Sequence, residues 1–203
     1  MIRTLCLASA ALALTACSIL PDPKPADIIY RLSLAGESVE ARPDAEVVRV
    51  DRPSASTVFN TASIIVSPDG RRMSQAAQAR WAELIPLLVQ ESLVDALSRS
   101  PAVIGVLPSS GARTDTRVHL TIKNFEAQFD RGEGQAPLAV VRYTATLADA
   151  SDRSLIDTFV SRQEVRADAI NVSQIVEAME DANNAAMSEI VAWLEGAAAK
   201  GQI

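Results

Sequence analysis

Between Asp115 and Val165 apolar and polar residues alternate over three successive stretches, and this constrains the fold more than any other feature of the chain. In the first, Asp115 to Asp130, the apolar set is Val118, Leu120 and Ile122. It then resumes as Phe125, Ala127 and Phe129, one position out of phase. Side chains of a strand point to opposite faces in turn, so an unbroken strand would send one of these sets into water. One extra residue near Lys123-Asn124, a β-bulge, returns both sets to the core. Val141, Tyr143, Ala145 and Leu147 mark the second stretch, and Leu155 to Val165 is the third. A Gly132-Glu133-Gly134 loop and a polar Asp149-Ala150-Ser151-Asp152 turn join them, which predicts a consecutive antiparallel meander.

Upstream, shorter alternations predict strands at Ile28 to Leu34, Glu46 to Val50 and Ala62 to Val66, the last followed by turn residues Pro68-Asp69-Gly70. From Ser74 to Ser98 the period lengthens. Ala77, Trp81, Leu84, Leu88, Ser92 and Ala96, with Ile85, Val89 and Leu93, fill one broad face of an expected amphipathic helix. Ser74 is its expected cap and Pro101 lies beyond its end; Pro86, lacking a backbone N–H, requires a kink or a later start. Ala102 to Leu107 is another short apolar run. A second helix is expected from Val172, with Asn171 and Gln174 spaced as a capping box and Ile175, Met179, Ala182, Ala186, Ile190 and Trp193 on its apolar face. The pattern is an α+β fold: a mostly antiparallel sheet with two amphipathic helices packed on one face. Trp81 and Trp193, one on each expected helix, should be buried against the sheet, with partner contact as the alternative.

The N-terminus carries a different message. Arg3 precedes a run without charge from Leu5 to Ala16, the layout of an export signal. Crossing about 30 Å of hydrocarbon takes roughly 20 helical residues, so this run is too short for a permanent span. It ends in Leu14-Thr15-Ala16-Cys17, which resembles the bacterial lipobox, whose cysteine is cleaved and acylated. Cys6, the only other cysteine, falls in the segment to be removed. Residues 1–16 are thus read as a lipoprotein signal peptide, 17–27 as a lipidated tether stiffened by Pro21, Pro23 and Pro25, and 28–203 as the folded domain. Ser18, where an aspartate would retain the protein at the inner membrane, favours the outer membrane. Asp and Glu number 25 against 19 Lys and Arg, and Arg3 leaves with the signal, so nucleic acid is not an expected partner. Membrane attachment would rest on acyl chains rather than on basic residues.

No combination of residues predicts catalysis or a cofactor. His119, the single histidine, falls on the polar face of the long strand and reads as a solvent-facing residue, leaving at most a Ser–His pairing without support. Asp149, Asp152 and Asp157 come nearest to a metal set but are accounted for by a turn and a strand; Gly70-Arg71-Arg72 lacks the span and lysine of a phosphate loop. Glu177, Glu180 and Asp181 read as the wet face of the last helix.

Along nearly all of the exported chain the residues resemble the ABC-type transport auxiliary lipoproteins, a paraquat-inducible protein C-like family. The landmarks are the Leu14 to Cys17 lipobox, Tyr30-Arg31-Leu32, Ala79-Arg80-Trp81-Ala82-Glu83, Phe125 to Asp130 and Ala192-Trp193-Leu194. The resemblance singles out Tyr30, Leu32, Arg80, Trp81 and Trp193 as structural or partner-contact positions. Leu84-Ile85-Pro86 departs from it, since the family commonly places proline directly after the Trp-Ala-Glu triplet. The resemblance implies a noncatalytic accessory of an intermembrane lipid transporter. It would be anchored at the periplasmic face of the outer membrane and dock a substrate-binding protein of the mammalian cell entry (MCE) type, leaving a homo-oligomer open. A carrier that binds a lipid or another hydrophobic ligand between helix and sheet is the alternative, and an envelope hydrolase a distant third.

Overall fold

Alternation in the second half of the chain produces the frame on which the other elements are arranged. The computed structural model describes residues 26–33 and 37–203, so Cys17, the signal, most of the tether and Leu34 lie outside the described residues. The elements run β1 (Ile28–Tyr30), β2 (Glu46–Val50), β3 (Ser54–Ala55), β4 (Ser63–Ser67), β5 (Ser74–Trp81), α1 (Ile85–Leu97), β6 (Val103–Val106), β7 (Thr116–Gln128), β8 (Leu138–Asp149), β9 (Leu155–Arg166) and α2 (Val172–Ala199), with a 3-10 turn at Pro108–Ser110.

β7, β8 and β9 form the expected meander, paired antiparallel along their lengths. The register of β7 on β8 slips between Ile122 and Asn124, so Lys123 is the extra residue and is exposed. Val118, Leu120 and Ile122 before the slip, and Phe125 and Ala127 after it, are all buried. The phase shift is therefore the imprint of a bulge.

The other flank of β7 is shared in succession by three short parallel strands: β2 opposite Thr116, β3 opposite Thr121 and β4 opposite Ala127. β6 pairs parallel to β2, β5 antiparallel to β4, and β1 parallel to β5. The sheet is thus mixed, with long antiparallel ladders on one side of β7 and short, mainly parallel ones on the other. α1 and α2 pack against each other and against the sheet, α2 over β7, β8 and β9 and α1 beside β2 and β6. Ile85, Val89 and Leu93 of α1 join Met179, Ala186 and Ile190 of α2 over Tyr143 and Leu147 in one core. Gly105 of β6 marks a close approach of α1, since a Cβ there would lie 2.6 Å from Leu97 Cδ1.

The expected helix from Ser74 to Ser98 is corrected. Residues Ser74–Trp81 are strand β5, Ser74 caps nothing, and Trp81 ends a strand instead of lying on a helix. Pro86 is the cause, for it is tolerated in the first turn of a helix and not inside one, and α1 begins at Ile85 without a side-chain cap. Upstream of it the alanine-rich stretch pairs with β4 and β1, and its register against β4 breaks between Ser63 and Ile65. Gln78, with φ 58°, sits in that irregular segment. The capping box at α2 is half made. Asn171 Oδ1 accepts from the Gln174 backbone N–H at 3.0 Å, but the Gln174 side chain turns to Glu177.

Candidate functional site

The parallel pairing of β1 with β5 sets Tyr30 beside Trp81 and Ile29 beside Arg80. Alternation then turns Trp81 inward and Arg80 outward. The Trp81 ring meets the edge of Phe125 at 5.8 Å and 63°, fully buried, and its Nε1–H has no acceptor among the described residues. Its backbone N–H donates to Ala62 O at 2.7 Å, while the Ala82 N–H donates to Tyr30 O at 2.7 Å. The Tyr30 hydroxyl lies 3.0 Å from Ser173 Oγ in the first turn of α2, and Leu32 packs against the core. Asn184 Nδ2 donates to Ser33 O at 3.1 Å, so the segment leaving β1 is held along α2. Arg80 Nε is 3.9 Å from the Asp27 carboxylate in an exposed pair that contributes little.

Tyr30, Leu32, Arg80 and Trp81 are thereby brought into one corner. Trp193 is not; it lies over β9, stacked on Phe159 at 5.7 Å and 17°, partly buried. Its ring N–H donates to Asp157 at 2.8 Å, which holds that carboxyl below its ordinary range, assisted by the Thr158 N–H.

On the sheet face turned away from the helices, His119 Nε2 lies 3.1 Å from Ser54 Oγ, which in turn is 3.2 Å from Thr121 Oγ1. His119 thus lies on the outer face, as expected of a solvent-facing residue, but is half-buried and engaged with Ser54. Burial lowers the imidazole pKa below its usual value; Asp51 opposes the shift and Arg117 adds to it. The sequence hid this contact because β3 is two residues long and carries no periodic signal. A serine nucleophile needs a base that a third group orients. Here Asp51 is held by Arg49 Nε at 3.1 Å and by Arg117. What the hydroxyls and imidazole do is stitch β3 to β7 where the backbone ladder is only two residues long.

The acidic residues considered as metal ligands do not converge. Asp149 accepts from the Ser151 N–H and hydroxyl and from the Asp152 N–H, closing the turn after β8, and these bonds lower its pKa. Asp152 accepts from the Ser154 N–H. Among the described residues no group of three or more His, Cys, Asp or Glu side chains could hold a metal ion. At the β4–β5 turn, Asp69 takes the N–H groups of Arg71 and Arg72 and the Arg72 guanidinium, which brings its pKa to about 2. Gly70-Arg71-Arg72 is a turn, as read.

Polar side chains also lock the helices down. The buried Tyr143 hydroxyl donates to Asn183 Oδ1 at 2.8 Å, Ser161 Oγ to Glu189 at 2.7 Å, Ser100 Oγ to Glu195 at 2.6 Å, and Gln90 Nε2 to Val50 O at 2.9 Å. No described helix is long and apolar enough to cross a membrane.

Residues 30–191 match the model of the ABC-type transport auxiliary lipoprotein component family. A comparison with curated proteins returned no match. Among solved structures, protein XCC0632 from Xanthomonas campestris is similar with a TM-score of 0.73 at 20% identity, over 83% of this chain and 96% of that one. An uncharacterized protein gives 0.66 at 14% identity, over 84% and 99%. The hypothetical protein CT253 from Chlamydia trachomatis gives 0.53 at 12% identity, over 76% and 98%. At these identities the structures speak for the fold alone.

Proposed function

This chain belongs to the ABC-type transport auxiliary lipoprotein family, and from that premise we propose a role as the noncatalytic, outer-membrane-anchored component of an MCE-type intermembrane lipid transporter. It would dock the periplasmic end of the transport complex. Cys17 is the proposed acylation site, residues 1–16 the removed signal, 17–27 the tether and 28–203 the docking domain. Ser18 supports the outer membrane as destination. The observation that carries the reading is the extent of the family match, which runs from the last residue of β1 through most of α2.

Packing favours docking over carriage. A carrier needs a cavity between helices and sheet, and that space is occupied by Met179, Met187 and Ile190 of α2 over Tyr143 and Leu147 of β8, all fully buried. Purified acylated protein should bind the MCE protein encoded beside its own gene at micromolar concentration. Lack of association at that concentration would sink the docking role, and phospholipid retained by the delipidated domain in mass spectrometry would revive the carrier.

A further inference from the structure

β1 is three residues long and lies on a strand of eight. It covers only Ala79–Trp81 of β5, while β4 takes the opposite edge of that strand. Among the described residues nothing pairs with the β1-side edge of Ser74–Ala77, and Ser74, Gln75 and Ala77 are exposed. Unpaired main-chain groups running on from a paired stretch of the same edge are a template for one more length of strand.

The chain that precedes β1 is aimed at this template. Because β1 is parallel to β5, residues before Ile28 arrive from the side of Gln78 and Ser74. Tyr30 O accepts from the Ala82 N–H, so Tyr30 and, two positions earlier, Ile28 turn their main-chain groups to β5, and Ile29 turns its own to solvent. Extended backbone carries the alternation upstream: even-numbered residues face β5 and odd-numbered ones face away. Asp27 keeps this phase, since its carboxylate reaches Arg80, the pairing neighbour of Ile29, on the outward face.

Pro21, Pro23 and Pro25 all fall on odd positions. Proline is tolerated at a sheet edge where its missing N–H would have pointed to solvent, and it holds the residue before it extended. Asp22 and Lys24, between the prolines, retain the N–H groups that β5 can bond. On even positions each proline would have removed a ladder bond instead. The spacing that stiffens a tether is therefore also that of an edge strand in phase with β1.

We propose that residues 22–27 continue β1 along the open edge of Ser74–Ala77. Gln78, with φ 58°, lets β5 shift its register there, but the phase belongs to the incoming chain and does not depend on that register. Outward-facing prolines would also close the new edge to any further strand. Where Cys17 is acylated, the free chain shortens from the nine residues before Ala26 to the five before Asp22, and its reach from about 30 Å to about 17 Å. The docking itself does not require the acylation.

Hydrogen exchange read by mass spectrometry on the exported chain tests the phase directly. Residues 74–78 should exchange about tenfold more slowly in the parent than after one alanine is inserted between Pro25 and Ala26, which moves the prolines to positions that need a donor. Two inserted alanines restore the phase and should restore the protection. Lys24→Pro, which removes a donor at constant length, should behave as the single insertion does, and Lys24→Ala as the parent does. β8 and β9 should exchange alike in every form, because all the changes lie outside the core. Equal exchange at 74–78 in all forms overturns the docking. So does protection that survives Lys24→Pro, or that both insertions abolish equally.

Discussion

The two flanks of β7 are built by different rules. On one side, β8 pairs with it and β9 with β8 through long antiparallel ladders, each interrupted by one bulge. On the other, β2, β3 and β4 each take a few residues of the same strand; β2 pairs outward with β6, β4 with β5 and β5 with β1. The first flank is held by regular alternation and by α2; the second by single anchors such as Trp81. Loss of regularity on the continuous flank should therefore be global, while on the patched flank the cost should concentrate at its anchors.

Deleting Lys123 tests the continuous flank most severely. The slip between Ile122 and Asn124 would vanish, turning Phe125 and Ala127 to the outer face or Val118, Leu120 and Ile122 away from the helices. We expect no cooperatively folded protein by circular dichroism, whereas deleting Gly134 from the β7–β8 loop should leave the transition intact. A folded Lys123 deletion with normal melting would show that register is set elsewhere.

Trp81→Ala should come next, at about 3–5 kcal/mol in urea unfolding, because the ring is fully buried against Phe125. Trp193→Ala should cost about 1–2 kcal/mol, since that ring keeps part of its surface in water and its loss leaves less of a cavity. Equal costs would erase the distinction between an anchor and an edge contact. Tyr143→Phe removes one hydroxyl and leaves Asn183 Oδ1 buried without its donor, for an expected loss of about 1–3 kcal/mol with little change of shape. An unchanged midpoint would mean that this bond does not help hold α2 to the continuous flank.

The smallest effect concerns acid. Asp157 is held below the usual carboxylate range by the Trp193 ring N–H, so on acidification the unfolded chain takes up this proton before the folded one does. Its contribution is complete above the ordinary carboxylate pKa and is lost as pH falls through the lowered value. Asp157→Asn should lower stability slightly at neutral pH, match the parent protein in acid and so flatten the acid limb of the stability curve. An unaltered acid limb would detach Trp193 from Asp157.

Legibility in the sequence follows the same division. The meander, its bulge and its turns could be read because alternation persisted long enough to reveal a break in phase, and Asn171 could be read because a cap is a local arrangement. Ser74 to Trp81 misled because alanine, glutamine and arginine favour helices, and because Ala77, Trp81 and Leu84 meet a helical spacing by accident. Pairing partners distant in sequence overruled that preference. Pro86 was the one local signal against it. Of the corner residues, Tyr30 and Trp81 were named by family resemblance, but their adjacency depends on a parallel register that no short pattern encodes. The contact of His119 with Ser54 was out of reach for the same reason, because 65 positions separate them.

The sharing of one strand by three others also fixes an order of assembly. A chain emerging from its N-terminus first presents β2, β3 and β4 before the strand against which all three must lie. Until β7 arrives their outer groups have no partner, and the distant pairings must wait for loops to close. β7, β8 and β9 follow one another closely and can then nucleate together. In a nascent chain of this topology only the β2–β6, β4–β5 and β1–β5 pairings are available before β7, and the three ladders that join them into one sheet wait for it.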